Sequence, residues 1–589
     1  MRKFILYCLF FMLSASLFLP AKACESYRYI EETFDNVTVQ QNVVYGQAVN
    51  YLGINQNLRM DIFSPAGDTL AYRPLVLFFF GGAFVIGDKS HADMQTWCDS
   101  LSRLGYVCAA VNYRIGLNVS SATSAERAVY RAVQDARAAV RYFKEYADIY
   151  NIDTTRIFLG GNSAGAITSL HTAFLDKEWK RPPSTYANTL LLRPDLGCLD
   201  CSGNSYQHDV FIKGVINLWG AIGDTSWMEY GQQTALLTIH GTDDPIVPFD
   251  QGVPFTVGYN FPYLYGALPI NDRADKINIY HEFYPYVGAD HTFYGLPDGI
   301  VTFPNQYWEP VFNQGKNFLY QLLKFESGHI IGDTLVCESD TVTYIVAQGN
   351  PDWKYCWDIQ GGIITSNPDS NIVKVLWTQP GNGSLKVKAK NEIDVTGNPS
   401  PAFDVQINPL PVSGIEIIEE YEIVYVISQS NYTIHEYLYF EHLDTFLYFI
   451  NDTAKFILNE SGLFSIKHFT ENACGYDTLE KYWVNFNHQI PEDTTTVSTG
   501  TELQTLIFQV YPNPLSQNTF YLVKPQKFKN QNLIFRLYST RGSLIFEKYT
   551  YQHQSKIVLE KIPPTGIYVW VITSTENKQK AYGKLNIAN

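Results

Sequence analysis

Apolar and polar positions alternate between residues 37 and 63 (Val37 and Val39, then Leu58, Met60 and Ile62), which predicts two antiparallel strands at the edge of a sheet. The pattern then changes. Leu75-Val76-Leu77-Phe78-Phe79-Phe80 is unbroken and stops at Gly81-Gly82, as a strand buried on both faces would. Residues 106–111, Ile157-Phe158-Leu159, Gly214-Val215-Ile216-Asn217-Leu218 and Ala235-Leu236-Leu237-Thr238-Ile239 repeat that texture, and residues 277–284 read as the last strand. Between them, residues 125–150 carry Val129, Val133, Ala136, Val140 and Phe143 at helical spacing; 166–171 and 308–325 are further helical runs. Strand and helix in turn predict an α/β fold, a mostly parallel sheet with helices on both faces.

Beyond residue 325 no long helical pattern remains. Short strand-like runs are separated by Gly, Pro, Asn and Asp, the texture of all-β sandwiches. The expected organisation is multi-domain: residues 24–327 α/β, 328–410 and 411–490 two sandwiches, 491–502 a polar linker, and 503–589 a last module. The stretch from 332 to 408, with Tyr355-Cys356-Trp357 and Val373-Lys374-Val375-Leu376-Trp377, resembles an immunoglobulin-like PKD-type module whose central tryptophan lies in the core.

Charge separates the ends of the chain. The net charge is −15, which argues against nucleic acid as a partner. From residue 503 onward, however, there are eleven basic and three acidic side chains. At the other end Arg2-Lys3 precede an apolar run over 4–19 and Ala21-Lys22-Ala23, a secretory leader with a cleavage site, so residues 1–23 are read as a signal peptide. Cys24 follows directly, but Lys22 stands where a lipobox has a small residue, which argues against lipidation. Export permits disulfides among the remaining eight cysteines. Cys198-Leu199-Asp200-Cys201 has no second ligand pair and is read as a loop disulfide.

The candidate chemistry centres on Gly161-Asn162-Ser163-Ala164-Gly165, between a short strand and a helical run. Gly-x-Ser-x-Gly there is a nucleophile elbow, a turn tight enough to need glycine on both sides of the serine. A serine hydroxyl needs a base and donors for the oxyanion. His240-Gly241-Thr242-Asp243-Asp244-Pro245-Ile246-Val247-Pro248 ends one strand, and Gly288-Ala289-Asp290-His291-Thr292-Phe293 follows the last. With the elbow these resemble the motifs of α/β-hydrolase fold serine esterases, the carboxylesterase and hormone-sensitive-lipase group. The resemblance covers residues 37–325 and implies Ser163 as nucleophile, Asp244 as acid (Asp243 as neighbouring alternative) and His291 as base. Phe80-Gly81-Gly82-Ala83-Phe84 resembles the family's His-Gly-Gly-Gly-Phe loop, implying an oxyanion hole from the N–H groups of Gly81, Gly82 and Ala164. Phe80 replaces the bracing histidine and Ala83 the third glycine. Val111-Asn112-Tyr113-Arg114 is a further match, expected to position that loop. His240 precedes the acid and is read as structural, Asp135 and Arg137 as paired or solvated. The aromatics of 255–265, between acid and base, are candidates to wall an acyl or aryl pocket, but because aromatics are 15% of the chain they are read as background.

The implied activity is hydrolysis of a carboxylic ester, short-acyl or attached to a polysaccharide, with no metal or organic cofactor. A prolyl-type peptidase would carry a propeller ahead of Leu75, where there are too few residues for one. The other rival is an adhesin whose sandwiches contact glycans. Finally, Val510-Tyr511-Pro512-Asn513-Pro514, Phe535-Arg536-Leu537-Tyr538-Ser539-Thr540-Arg541-Gly542, Gly566-Ile567-Tyr568-Val569-Trp570 and Lys584-Leu585-Asn586-Ile587 occur in the order seen in type IX secretion sorting domains of the Bacteroidota. That resemblance implies the outer-membrane secretion machinery as a partner and a secreted or cell-surface location reached through the periplasm.

Overall fold

The computed structural model describes residues 24–190, 193–255, 260–295, 305–420, 423–458, 460 and 462–485, with shorter stretches between 509 and 587. The leader and the 491–502 linker lie outside the described residues. Residues up to 487 form one compact unit and the remainder another.

Eight strands make the principal sheet: β1 (Val37–Val49), β2 (Asn55–Pro65), β3 (Arg73–Phe79), β4 (Val107–Val111), β5 (Ile152–Asn162), β6 (Gly214–Leu218), β7 (Ala235–Gly241) and β8 (His281–Tyr286). Their spatial order is β1-β2-β4-β3-β5-β6-β7-β8. The pairs β1–β2 and β2–β4 are antiparallel and the others parallel, so the alternating segment is the edge and the continuous runs are the centre. Every residue of β3, β4, β6 and β7 is buried. Burial of each large aliphatic or aromatic side chain contributes about 1.5–3 kcal/mol, which is why these strands are mostly apolar, Asn217, Thr238 and His240 being among the buried polar exceptions.

Helices α1 (Ala92–Leu104), α2 (Ala122–Glu145), α3 (Ala164–Phe174), α4 (Ala267–Ile277) and α5 (Trp308–Leu323) cover the sheet. Two differ from the sequence reading. Helix α1 was not expected. The last strand starts at His281 instead of 277, because 267–277 is helical and Asn278 closes that helix in the left-handed region at φ 58°. The apolar pair Ile277 and Ile279 spans this cap, and so imitates the start of a strand.

The first sandwich packs two four-stranded sheets around Trp377, whose indole N–H donates to Tyr344 Oη at 3.2 Å; Trp357 is only half-buried. Its Ile393 and Val395 are fully buried within the hydrophobic cluster of the α/β domain. A Cys24–Cys356 disulfide joins the same two domains, which a thioether-linked lipid on Cys24 would preclude. Cys337–Cys474 ties the first sandwich to the second, and Cys198–Cys201 closes the expected small loop. In the C-terminal unit, a three-stranded and a four-stranded sheet enclose a core including Phe520, Phe535, Leu537 and Trp570.

Candidate active site

Strand β5 ends at Asn162 and α3 begins at Ala164, leaving one residue for the reversal. Ser163 makes it at φ 51° and ψ −119°, a strained conformation costing about 1–3 kcal/mol. The flanking glycines are steric necessities. A Cβ on Gly161 would lie 2.6 Å from Phe79 O, and one on Gly165 1.9 Å from the same oxygen. The Ser163 N–H donates to Leu218 O at 3.0 Å, anchoring the turn to β6. Asn162 donates from its side chain to Asp93 Oδ2, which also accepts from Tyr294 Oη at 2.9 Å. Fully buried Asp93 on α1 therefore ties the elbow to the segment after His291.

The expected base and acid, His291 and Asp244, stand on loops after β8 and β7. His291 Nε2 is 2.9 Å from Ser163 Oγ, and His291 Nδ1 is 2.7 Å from Asp244 Oδ2. A carboxylate only accepts, so Nδ1 carries the proton and Nε2 is left to accept from the serine hydroxyl. Asp244 Oδ1 accepts the N–H groups of Ile246 at 2.8 Å and Val247 at 3.0 Å. Its side chain is fully buried, which opposes ionisation; hydrogen bonds from His240 and His291 outweigh burial and hold the carboxyl well below its ordinary range. The alternative acid, Asp243, bonds instead to Thr242 Oγ1 at 2.9 Å. The two loops are joined directly, since the Thr242 N–H donates to Tyr286 O and the Asp243 N–H to Ala289 O, each at 3.0 Å.

Gly81 and Gly82 lie in the loop after β3. Gly82 has φ 110°, and a Cβ there would sit 2.2 Å from Ile86 O. Ala83 and Phe84 follow at φ 53° and 60°, so the loop keeps its left-handed path although alanine replaces glycine. Phe80 is braced by stacking: its ring lies 4.3 Å from that of Tyr113, whose hydroxyl donates to Phe80 O at 2.8 Å. The Gly116 N–H also donates to Phe84 O at 2.7 Å. The segment around Tyr113 and Arg114 thus holds the loop, as expected. Ala164 opens α3, where the first N–H groups have no intrahelical acceptor and the helix dipole favours negative charge.

Over Ser163 lies a small, almost wholly apolar cavity of about 40 Å³, walled by Phe84, Val129, Ile167, Val247, Phe255 and Phe261. Two of these belong to the aromatic stretch read as background, so that reading is corrected: position, not frequency, gives Phe255 and Phe261 their place. His240 has the structural role expected of it, and what it supports is Asp244. Its Nε2 is 2.9 Å from Asp244 Oδ2 and 3.2 Å from Val247 O; both can only accept, so Nε2–H donates to the acid of the site. The signal was its spacing, four residues before Asp244 at the end of β7. Asp93 offered no signal, being in an unanticipated helix far along the chain. Asp135 and Arg137 are paired as expected, Asp135 with Arg114 and Arg137 with Asp200.

Parts of this chain are similar to known proteins. A probable carboxylesterase 2 from Arabidopsis thaliana is 32% identical over 107 residues, 18% of this chain and 32% of that protein. A probable isoprenylcysteine alpha-carbonyl methylesterase from the same plant is 27% identical over 152 residues, 26% of this chain and 27% of that protein. The chain thus spans about a third or less of the curated relatives it matches. Among solved structures, the apo form of Thermogutta terrifontis esterase 2 covers 50% of this chain and 96% of its own at 20% identity, with TM-score 0.34. A truncated carbohydrate esterase from gut microbiota covers 51% and 98% at 17% identity, with TM-score 0.34. Residues 60–234, which include β3, α2 and the elbow, match the BD-FAE family, and residues 324–402 match the PKD-like domain family.

Proposed function

We propose that this chain is an exported, serine-dependent carboxylic-ester hydrolase acting on short-acyl esters, free or as decorations on a polysaccharide. The observation that carries this reading is the hydrogen-bonded series Ser163–His291–Asp244 opening on an apolar cavity. Ser163 Oγ attacks the ester carbonyl as His291 Nε2 takes its proton, and Asp244 stabilises the imidazolium. The N–H groups of Ala164, Gly81 and Gly82 hold the oxyanion. Collapse expels the alcohol, protonated by His291, and leaves an acyl group on Ser163. Water, deprotonated by His291, then releases the acid.

The acyl limit follows from size. The cavity over Ser163 is small and almost wholly apolar, which suits a short acyl chain better than a long one. A fluorophosphonate probe should label Ser163, and kcat/KM on p-nitrophenyl esters should fall at least ten-fold from butyrate to octanoate. An unlabelled protein would indicate a binding module instead, and a flat chain-length profile would reject the acyl assignment.

Export rests on the leader at 1–23 and the ordered signatures from residue 510 onward, which support passage through the type IX machinery. Deleting the residues after Val510 should trap the protein in the periplasm; surface display of the truncated form would reject that reading.

A further inference from the structure

A second cavity, about 770 Å³ in volume, lies on the other flank of the α2 N-terminus. Its wall towards the acyl cavity includes Arg114 and Ser121, the two ends of the segment pinned to Phe84 through Gly116. The remaining walls are the β1–β2 hairpin tip at Tyr51, the first turns of α2 and the 193–202 loop. Antiparallel pairing of β2 with β4 puts this tip at the carboxyl end of the parallel strands, the same side as Ser163.

Four guanidinium groups line the cavity, and among the described residues only Arg114 is in an ion pair. Arg114 Nε lies 2.9 Å from Asp135 Oδ1, using that fully buried carboxylate. Arg127 donates only to carbonyls, Ser184 O at 2.9 Å and Pro194 O at 2.7 Å. Arg131 is 4% exposed, donates from Nη2 to Gly116 O at 2.6 Å, and keeps a buried Nε with no acceptor. Arg193 Nε is likewise buried without an acceptor. The one carboxylate in the wall, Asp195, is turned to Arg181 Nη2 at 2.5 Å and to the Gly197 N–H at 2.7 Å. Among the described residues Arg127, Arg131 and Arg193 have no ion-pair partner.

Buried like charges repel, and a chain of net charge −15 has no general reason to gather them. Burial first, then the neighbouring Arg114 and Arg127, depresses Arg131 to about 10. The α2 N-terminus adds partial positive charge, with Thr123 on the wall and its N–H lacking an intrahelical acceptor. An oxyanion would supply the missing charge and acceptors together, and guanidinium groups suit carboxylate, phosphate or sulfate geometry. The volume is that of a small-molecule site.

We propose that this cavity binds a molecule of about sugar size bearing an oxyanion, recognised by Arg131 and Arg193 with Arg127 beside them. The proposal is independent of ester hydrolysis and is tested on the full chain carrying Ser163→Ala. Titration calorimetry at low ionic strength would compare glucuronate, inorganic phosphate and neutral glucose. Glucuronate or phosphate should bind at least ten-fold more tightly than glucose, and Arg131→Gln and Arg193→Gln should each weaken that binding ten-fold or more. Preference for glucuronate would mark an acid sugar as the ligand class; preference for phosphate would mark a phosphorylated or free anion. No binding by either anion, equal binding of glucose, or indifference to the arginine substitutions overturns the proposal. Arg193 is partly exposed and, among the described residues, donates no side-chain hydrogen bond, so Arg193→Gln decides the matter if Arg131→Gln fails to fold.

Discussion

The two halves of the proposed catalytic array are held by opposite means. Ser163 is fixed by sterics within five residues: a forced φ of 51°, two glycines with no room for a Cβ, and a helix that starts at the next residue. His291 and Asp244 stand on separate loops and are fixed by hydrogen bonds, from the Ile246 and Val247 N–H groups, from His240, and between the loops themselves. Strain positions the proposed nucleophile. A polar network positions the groups that must change or stabilise charge. Substitutions at the two ends should therefore differ in kind as well as size.

The largest effect belongs to the strained end. Ser163→Ala should lower ester turnover by about 10⁴-fold or more without loss of stability. Ser163→Gly should be equally inactive yet more stable than Ser163→Ala by about 1 kcal/mol, because glycine adopts positive φ without cost. Thermal unfolding of the pair measures that difference, and equal melting temperatures would mean that the elbow stores no strain.

At the polar end, Asp244→Asn should lower kcat by about 10⁴-fold, since an amide donor facing Nδ1 favours the wrong tautomer of His291. Here stability should change too, and with pH. The folded-state pKa of Asp244 is depressed, so its carboxylate contributes stability in full above the unfolded value, about 3.9, and loses it as pH falls through the folded one. The stability gap between wild type and Asp244→Asn should thus be widest near neutrality, start to close below about pH 4, and narrow further towards pH 2. Denaturant titrations at pH 7, 4 and 2 would show it. A gap independent of pH would remove the network from the account.

This contrast also explains what could be read from the chain. The elbow was legible because its demand is local: a residue beside Ser163 either has a Cβ or lacks one. The central strands were legible because burial on both faces leaves an unbroken apolar run. His291 and Asp244 were found through short motifs at strand ends, where a parallel sheet delivers its loops. The polar supports were not legible, because hydrogen bonds join residues that no periodicity connects. Asp93 meets Asn162 and Tyr294 only once α1 has packed. That the structural His240 would bind Asp244 could not be read, because only the turn at Asp244 brings its Oδ2 to the N–H groups of both His240 and His291. Phe255 and Phe261 were hidden by the abundance of aromatics elsewhere.

The smallest expected effect is at His240, and it asks whether a residue outside the reacting series belongs to the network. Its ring is fully buried, and Nε2–H is one of four donors to the Asp244 carboxylate. Losing one hydrogen bond to a charged group costs about 1.5–3 kcal/mol. Part of that should appear as a roughly ten-fold fall in kcat for His240→Leu, with KM unchanged because the ring does not line the acyl cavity. Losing the donor also raises the Asp244 pKa towards its ordinary value, so the acid unfolding midpoint of His240→Leu should move to higher pH. His240→Gln offers an amide N–H to the same oxygen and should recover both quantities in part. A packing role alone would lower stability equally at every pH and give no rescue by glutamine, since its side chain fills the space less well than leucine; that outcome would confine the polar network to His291 and the backbone donors.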